Sequence, residues 1–340
     1  MSSELENFQQ ILLSGKDLPE NEAVEFFNAL QAETDENLIA AALLAFEAKG
    51  ATTDELYAMA KLMRSRAVKV RSKYETFVDI VGTGGSGAKI FNVSTAAAFV
   101  IAGAGIPVAK HGNRAATSKC GSADVLSELG INPAVEAAKA EECLKEIGIC
   151  FMFAPNFHAL SPILGKVRRQ LGTPTIFNRL GPLCNPANAP HQIIGVYRQD
   201  LVESTAEVLA KLGTKKSWIV HGADGLDEIT LNGTTFVAEI SSGKIKQFEI
   251  SPENFGLKTA DFNFPKCSAT ESAKIISDVL RGESNDENAR NIILINAAAA
   301  IYISGKADDL RMSFAIAEKS LESGKSLEKL ESLKEKTQEN

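Results

Sequence analysis

"VDIVGTGGSGAKIFNVSTAAAFVIAGAG", Val78 to Gly105, is the stretch on which the fold turns. An apolar run breaks into Gly82, Gly84, Gly85 and Gly87, then resumes as an Ala-rich segment after Asn92-Val93-Ser94-Thr95. The pattern predicts a strand over 77–81, a tight loop, and a helix over 94–104. Loop amides and the positive end of the helix then converge on one spot, which is how a backbone cradles phosphate. Glycine lets the backbone approach an anion and take positive φ, while Asn92, Ser94 and Thr95 offer caps and hydroxyl donors. Taken alone, the loop reads equally well as a tight capped turn with no ligand. It is not a P-loop, because no Gly-Lys-Ser or Gly-Lys-Thr follows. It is not the dinucleotide fingerprint either, because the glycines of "GTGGSG" are wrongly spaced.

Downstream, short apolar runs alternate with amphipathic segments. Strands are expected over 106–110 and 149–154, helices over 122–130 and 134–147, and "QIIGVYR" and "SWIVHG" flank a helix over 200–212. Such alternation argues for a mostly parallel sheet covered on both faces. Residues 227–250 break it: turns at Asn232-Gly233 and Ser242-Gly243 suggest hairpins. The segment 285–303 is apolar almost all round and reads as a central helix. Upstream, apolar residues recur at helical spacing from Glu4 to about Val70, with Lys49-Gly50 stopping one helix and Thr52 or Thr53 capping the next. The expected fold is α/β, with a small N-terminal helical domain over 1–72 and a larger α/β domain with a mostly parallel central sheet over 73–335. Helices from about 160–190 are expected to pack on the helical domain. The first few residues and the "KEKTQEN" tail are poor in core formers and are expected to be disordered.

The chain has 340 residues, 44% hydrophobic and 23% charged, and a net charge of -7 spread along its length. That balance disfavours nucleic acid or an anionic membrane as a partner, so any basic residues that bind anions act locally. Five cysteines without a CxxC pair suit a reduced cytosolic protein and read as packing residues. The N-terminus has no signal-peptide pattern, and the longest apolar stretch, Thr95 to Val108, is too short to span a membrane. A cytoplasmic address follows.

Three further motifs carry chemistry. "KHGNRAATSKCGSADVLSELG" (110–130) also leaves a strand end and enters a helix, bringing Lys110, Arg114 and Lys119 together with Asn113, Thr117 and Ser118. It reads as a second anion loop at the carboxyl end of an adjacent strand, or as a solvated basic turn. "HGADGLDEIT" sets Asp227 beside Glu228 after a strand. Such a pair is an acidic turn when alone, and a Mg²⁺ site when it stands beside phosphate loops. In "APNFHALSPILGKVRRQLGTPTIFNRLGPLCNPA" (154–187), His158 is expected to begin a helix that carries Arg168 near the same face, with Ser161 between them. A cationic Arg there could bind a carboxylate. His111 could reach a ligand through its loop, whereas His191 and His221 look structural.

With "DIVGTGG", "FNVSTAAAF", "KHGNRA", "GSADVL", "TIFNRLGPLCNPA" and "DGLDE" in this order, the chain resembles the anthranilate phosphoribosyltransferase family over nearly its whole length. The resemblance implies a helical domain joined to an α/β domain and a homodimer formed through the helical domain. It implies transfer of the phosphoribosyl group of phosphoribosyl pyrophosphate to the amine of anthranilate, with Mg²⁺ as cofactor. By carry-over, Gly82, Thr83, Gly84, Gly85, Asn92, Ser94, Thr95 and Lys110 hold the pyrophosphate end, and Asn113, Ser118 and Gly121 line the phosphoribosyl path. Ser94, Asp227 and Glu228 serve the metal, and Gly82, Asn113, His158 and Arg168 receive anthranilate. The chain departs from the family's usual pattern at Ser86 (aspartate), Ile90 (threonine), "HALS" (HPAM) and Pro174 (arginine). Other classes remain open: a same-fold transferase acting on another aromatic amine, a nucleoside phosphorylase, or a non-catalytic nucleic-acid-binding relative. The "KHGNR" and "DGLDE" motifs weigh against the phosphorylase, and the charge of -7 weighs against the nucleic-acid binder.

Overall fold

The computed structural model describes residues 3–85, 91–115, 120–261 and 266–339. Four helices open the chain: α1 Glu4–Leu13, α2 Glu20–Ala32, α3 Glu36–Lys49 and α4 Thr53–Arg66. Local chemistry sets their ends. Ser3 forms a capping box with Glu6, and Thr52 forms one with Glu55, so Thr52 rather than Thr53 is the cap. Gly50, at φ 84°, ends α3.

The strands are β1 Val78–Gly82, β2 Val108–Gly112, β3 Ile149–Phe153, β4 His191–Gly195, β5 Lys216–Gly222, β6 Thr235–Ser241 and β7 Lys244–Ile250. Between β1 and β5 lie α5 Val93–Gly103, α6 Ser122–Glu128, α7 Ala137–Ile147, α8 Ala154–Phe157, α9 Pro162–Leu171, α10 Ile176–Leu183 and α11 Leu201–Lys211. After β7 come α12 Ala269–Arg281, α13 Glu287–Ile303, α14 Leu310–Glu322 and α15 Lys325–Gln338. The seven strands form one sheet in the order β3-β2-β1-β4-β5-β6-β7. Pairing is parallel from β3 through β5 and antiparallel for β6 and β7. The chain builds outward from β1 to β3 and then returns to place β4 on the other side of β1. The β1–β4 boundary is therefore a topological switch point, where open α/β sheets take ligands at the strands' carboxyl ends.

Several expectations shift. Strand β2 runs over 108–112, not 106–110, which draws Lys110 and His111 into the sheet. The second helix expected over 134–147 begins only at Ala137. Of the two hairpins only β6–β7 forms, turning at Ser242 (φ 49°) and Gly243 (φ 76°). Residues 228–231 are not a strand, because Ile229 and Thr230 are held by Asn296 and Thr235 side chains instead of a ladder. The "KEKTQEN" tail, expected to be disordered, continues α15 as far as Gln338 and buries Thr337, whose hydroxyl donates to Leu333 O at 2.8 Å. Thr337 extends the buried face that Leu330 and Leu333 begin, so one face is enough.

The sheet carries a core on each face. Along β5, Trp218 and Val220 join the core that contains α5 and α13, while Ile219 between them joins the core that contains α1–α4, α9, α10 and α11. Residues Ile193 and Ile194 divide in the same way. The N-terminal helices thus share one continuous core with a sheet face and with α9 and α10. Helix α13 is buried along almost its whole length. All five cysteines are buried thiols. Among the described residues, no helix is long and apolar enough to cross a membrane.

Candidate active site

The glycine-rich loop leaves β1 at the switch point. A Cβ on Gly82 would lie 2.4 Å from Asp227 Oδ2, and one on Gly195, at the end of β4, would lie 1.7 Å from Asp227 O. Both strand ends are therefore pressed against the 222–228 loop, and only glycine fits. Gly84 and Gly85 have φ of +63° and +80°, the left-handed region that the sequence pattern anticipates. Four bonds hold this backbone. Gly84 N donates to Asp227 Oδ2 at 2.9 Å, Thr83 N donates to Gly195 O at 2.8 Å, Asn178 Nδ2 donates to Thr83 O at 3.2 Å, and Tyr197 N donates to Thr83 Oγ1 at 3.2 Å. Pro174 packs against Gly85, whose added Cβ would meet its ring at 2.8 Å. Ser86 and Ile90 lie outside the described residues.

At the start of α5, Asn92 does not cap the helix through its side chain. Its amide donates instead to Cys120 Sγ at 3.1 Å, and its backbone N–H donates to Ser272 Oγ at 2.9 Å, which ties the two anion loops together. Lys110 is buried, and its ammonium donates to Ile80 O and to Ser94 Oγ, the latter at 3.3 Å. That places a positive charge between β1 and the positive end of α5. Thr95 Oγ1 is buried with no hydrogen-bond partner among the described residues.

The second loop is folded back on α6. Asn113 O accepts from Ala123 N at 3.2 Å, and a Cβ on Gly121 would lie 2.5 Å from both Asn113 O and Ala115 N. Asp124 pins the loop: its Oδ2 accepts from Gly121 N at 2.9 Å and Ala115 N at 3.1 Å, and its Oδ1 pairs with Arg114 at 2.9 Å. Ser118 lies outside the described residues, as do Thr117 and Lys119.

The acceptor side differs from expectation in its elements. His158 does not begin a helix. It is the C-cap of α8, and Ser161 caps a separate helix, α9, that carries Arg168. Pro162 explains the break, because it disfavours helical backbone at Ser161 and suits the first position of a new helix. His111 is buried in β2 and not on a loop, with Nδ1 3.2 Å from Gly181 O. The His111 and His158 rings meet edge to face, with centroids 5.1 Å apart. The Nε2 atoms of both rings are buried without hydrogen-bond partners among the described residues. Burial lowers the His158 pKa to about 4 and pushes His111 well below its ordinary value, so both are neutral at pH 7. Arg168 stacks on Phe177 at 4.9 Å and makes no ion pair among the described residues. Its Nε is buried without a partner, and desolvation lowers the guanidinium pKa to about 10. A largely desolvated cation of this kind is suited to a carboxylate ligand. His191 and His221 bond to Lys216 O and Val196 O across the sheet, as structural histidines do.

Asp227 is buried and Glu228 half-buried on the loop after β5. Among the described residues, no three His, Cys, Asp or Glu side chains converge. Two adjacent carboxylates are hard oxygen donors. They fit a Mg²⁺ that completes its shell with substrate oxygens and water.

Three supporting groups carry no sequence signal beyond lying in quoted motifs. Asp124 and Asn178 hold the two loops. Asp79, under the switch point, accepts from Asn185 Nδ2 at 2.8 Å and His111 N at 3.1 Å. Burial raises the Asp79 pKa to about 6 against the opposing charge of Lys110, and these N–H donors suit its ionised form.

The match to known proteins is extensive. Residues 74–327 fit the model of the glycosyl transferase family a/b domain, and residues 8–67 fit that family's helical bundle domain. Anthranilate phosphoribosyltransferase of Clostridium kluyveri is 45% identical over 95% of this chain and 96% of its own length. The Moorella thermoacetica enzyme of that name is 43% identical, over 95% of each. The structure superposes on that of Thermus thermophilus anthranilate phosphoribosyltransferase with TM-score 0.88 and 36% identity, covering 98% of this chain and 99% of the other. It superposes on the Saccharomyces cerevisiae enzyme in complex with PRPP and Mg with TM-score 0.88 and 28% identity, covering 99% and 98%. With a glycine loop at the β1–β4 switch point, a second loop on the adjacent β2, a carboxylate pair against the ends of β1 and β4 and this similarity end to end, the chain belongs to the anthranilate phosphoribosyltransferase family.

Proposed function

We propose that the chain transfers the phosphoribosyl group of phosphoribosyl pyrophosphate to the amine of anthranilate, releasing pyrophosphate, as a step of tryptophan biosynthesis. The observation that carries this reading is the junction at Asp227, where one buried carboxylate meets the glycine loop of β1 and the end of β4. The S. cerevisiae relatives solved with PRPP and Mg and with 4-fluoroanthranilate support the same pair of substrates. The testing assay is loss of anthranilate fluorescence, which should require both phosphoribosyl pyrophosphate and Mg²⁺. Unchanged fluorescence, with turnover of a different aromatic amine in a parallel panel, would reassign the acceptor.

The same reading gives each residue a part. The glycine loop of Gly82, Thr83, Gly84 and Gly85, the positive end of α5 with Asn92, Ser94 and Thr95, and the Lys110 ammonium hold the pyrophosphate end. Asn113, Ser118 and Gly121 line the path of the phosphoribosyl group. Asp227 and Glu228, with Ser94, would hold Mg²⁺, which when bound neutralises charge on the departing pyrophosphate. Gly82, Asn113, His158 and Arg168 would receive anthranilate, with Arg168 on its carboxylate. An aromatic amine is already a nucleophile, so positioning and electrostatics can carry the transfer without a strong base. The neutral imidazoles add no charge to compete with Arg168, and their Nε2 atoms can accept an amine hydrogen.

Two expected results separate the halves of the site. Replacing Arg168 with alanine should raise the KM for anthranilate roughly 10- to 100-fold and leave that for phosphoribosyl pyrophosphate nearly unchanged, the loss of one charge-assisted bond. Equal rises in both would place Arg168 elsewhere. Asp124→Asn should do the reverse, raising the KM for phosphoribosyl pyrophosphate roughly 3- to 10-fold with kcat little changed, because it loosens the loop of Asn113 without touching the reacting atoms. A fall in kcat at unchanged KM would remove that assignment.

The same reading takes residues 1–72 as the helical unit and 73–335 as the α/β unit. It also takes the molecule as a cytoplasmic homodimer joined through the helical unit.

A further inference from the structure

A cationic cavity with a volume of about 590 Å³ lies at the opposite ends of the strands, before β4 and β5. Its wall comes from α4, from the segment before β4 (Asn188 to Pro190) and from the turn before β5 (Gly213 to Lys215). These residues precede strands β4 and β5, whereas the transfer site lies beyond the carboxyl ends of β1 and β4. The length of β4 alone separates the two regions by on the order of 15 Å. No wall residue belongs to either loop of the transfer site.

Five cations face this space in a protein of net charge -7: Lys61, Arg64, Lys69, Lys211 and Lys215. Only Lys211 has a carboxylate partner among the described residues, Asp54, with Glu20 and Glu207 acting on it from further off. Arg64 is largely buried, and its guanidinium donates to Leu183 O at 2.6 Å and Leu212 O at 3.5 Å, while Lys69 donates to Arg64 O. Those carbonyls close the ends of α10, α11 and α4, which explains why Arg64 and Lys69 are present. They neutralise neither charge, and burial and mutual repulsion lower the pKa of Lys69. Lys61 and Lys215 are exposed and make no ion pair among the described residues. The Lys61 and Lys211 ammoniums stand 5.4 and 5.6 Å from the Tyr57 ring. A concave surface lined by one sign of charge focuses its field and concentrates counter-ions.

We infer that this cavity is a binding site for a small phosphate-bearing anion, separate from the transfer site and spanning the seam between α4 and α11. Arg64 spends its fork on two carbonyls, so the remaining recognition is by ammonium point charges, which suit a phosphate group better than a planar carboxylate. A space of 590 Å³ exceeds what inorganic phosphate fills, so the occupant is a phosphate ester with its organic part against Tyr57.

The test is thermal unfolding of the full chain, saturated with Mg²⁺ and phosphoribosyl pyrophosphate, in a sugar bisphosphate, in inorganic phosphate, and in chloride at equal ionic strength. The bisphosphate should raise Tm by about 1–2 °C over chloride at ten times its Kd, with a smaller rise in inorganic phosphate. The rise should vanish in Lys61→Ala with Lys215→Ala, two exposed positions whose loss leaves the fold and the basal turnover unchanged. A rise that survives in the double variant would place the anion away from this cavity and overturn the inference. No rise over chloride would overturn it as well.

Discussion

Asp227→Asn combined with Glu228→Gln should lower kcat/KM by roughly 10²- to 10⁴-fold, the loss of two charge-assisted contacts of about 1.5–3 kcal/mol each. The amide pair is the informative change because it keeps shape. Asp227 is buried, and its Oδ2 accepts the Gly84 N–H. Truncation to alanine would release the glycine loop and confuse lost metal affinity with lost geometry. An Asn oxygen can still accept from Gly84, so Tm should move little while the Mg²⁺ needed for half-maximal rate rises sharply. Steady-state rates against Mg²⁺ give the answer. Full activity at ordinary Mg²⁺ would show that neither carboxylate binds the metal, and the anion loops alone would then have to neutralise the leaving pyrophosphate.

How much of this site the sequence carries depends on which physical signal each residue leaves. The glycine loop is legible because positive φ and close approach both demand glycine: Gly82 shows the close approach, Gly84 the positive φ, and Gly85 both. The carboxylate pair alone reads as an acidic turn, and only its place beside the two loop motifs points to a metal. The break between His158 and Arg168 was misread: the expected helix runs through Pro162, and the signal that ends α8 and caps α9 with Ser161 was overridden by the apolar spacing around it. The hairpin at Asn232-Gly233 failed for a long-range reason, since Asn296 on α13 takes the backbone of Ile229 at 2.9 Å, and no local pattern reports a partner that far along the chain. The last seven residues read as disordered because "KEKTQEN" holds no apolar residue, yet Thr337 shares the buried face of α15 with the upstream Leu330 and Leu333. Asp124 and Asn178 sit inside motifs that were recognised, yet their work is to hold other residues' backbones. A polar residue that positions a loop reads in sequence like any helix-capping or turn residue.

Gly195→Ala should be the most damaging single methyl group in the molecule, because its cost falls on two loops together. Gly195 has no positive φ, so the demand is purely one of space: the added carbon would sit 1.7 Å from Asp227 O and 2.4 Å from Asp227 C, both backbone atoms with no rotamer to yield. Either β4 must draw back from β1 or the Asp227 loop must lift. The first weakens the Thr83 N–H bond to Gly195 O, and the second carries Asp227 away from Gly84. A displacement on the order of 1 Å at a reacting centre costs roughly 10²-fold in rate, and overpacking of this kind costs about 1–3 kcal/mol of stability. The expected result is a fall in kcat/KM of about 10²-fold or more, measured well below a moderately reduced Tm, where the protein is fully folded. Gly165→Ala on α9 is the matching control, since the atom nearest its added carbon is the Arg169 side-chain nitrogen at 3.7 Å, and it should leave both quantities nearly unchanged. Normal turnover in Gly195→Ala would mean that the Asp227 loop has room to move without loss of function, and the tight junction of β1, β4 and that loop could not then be what sets the geometry of transfer.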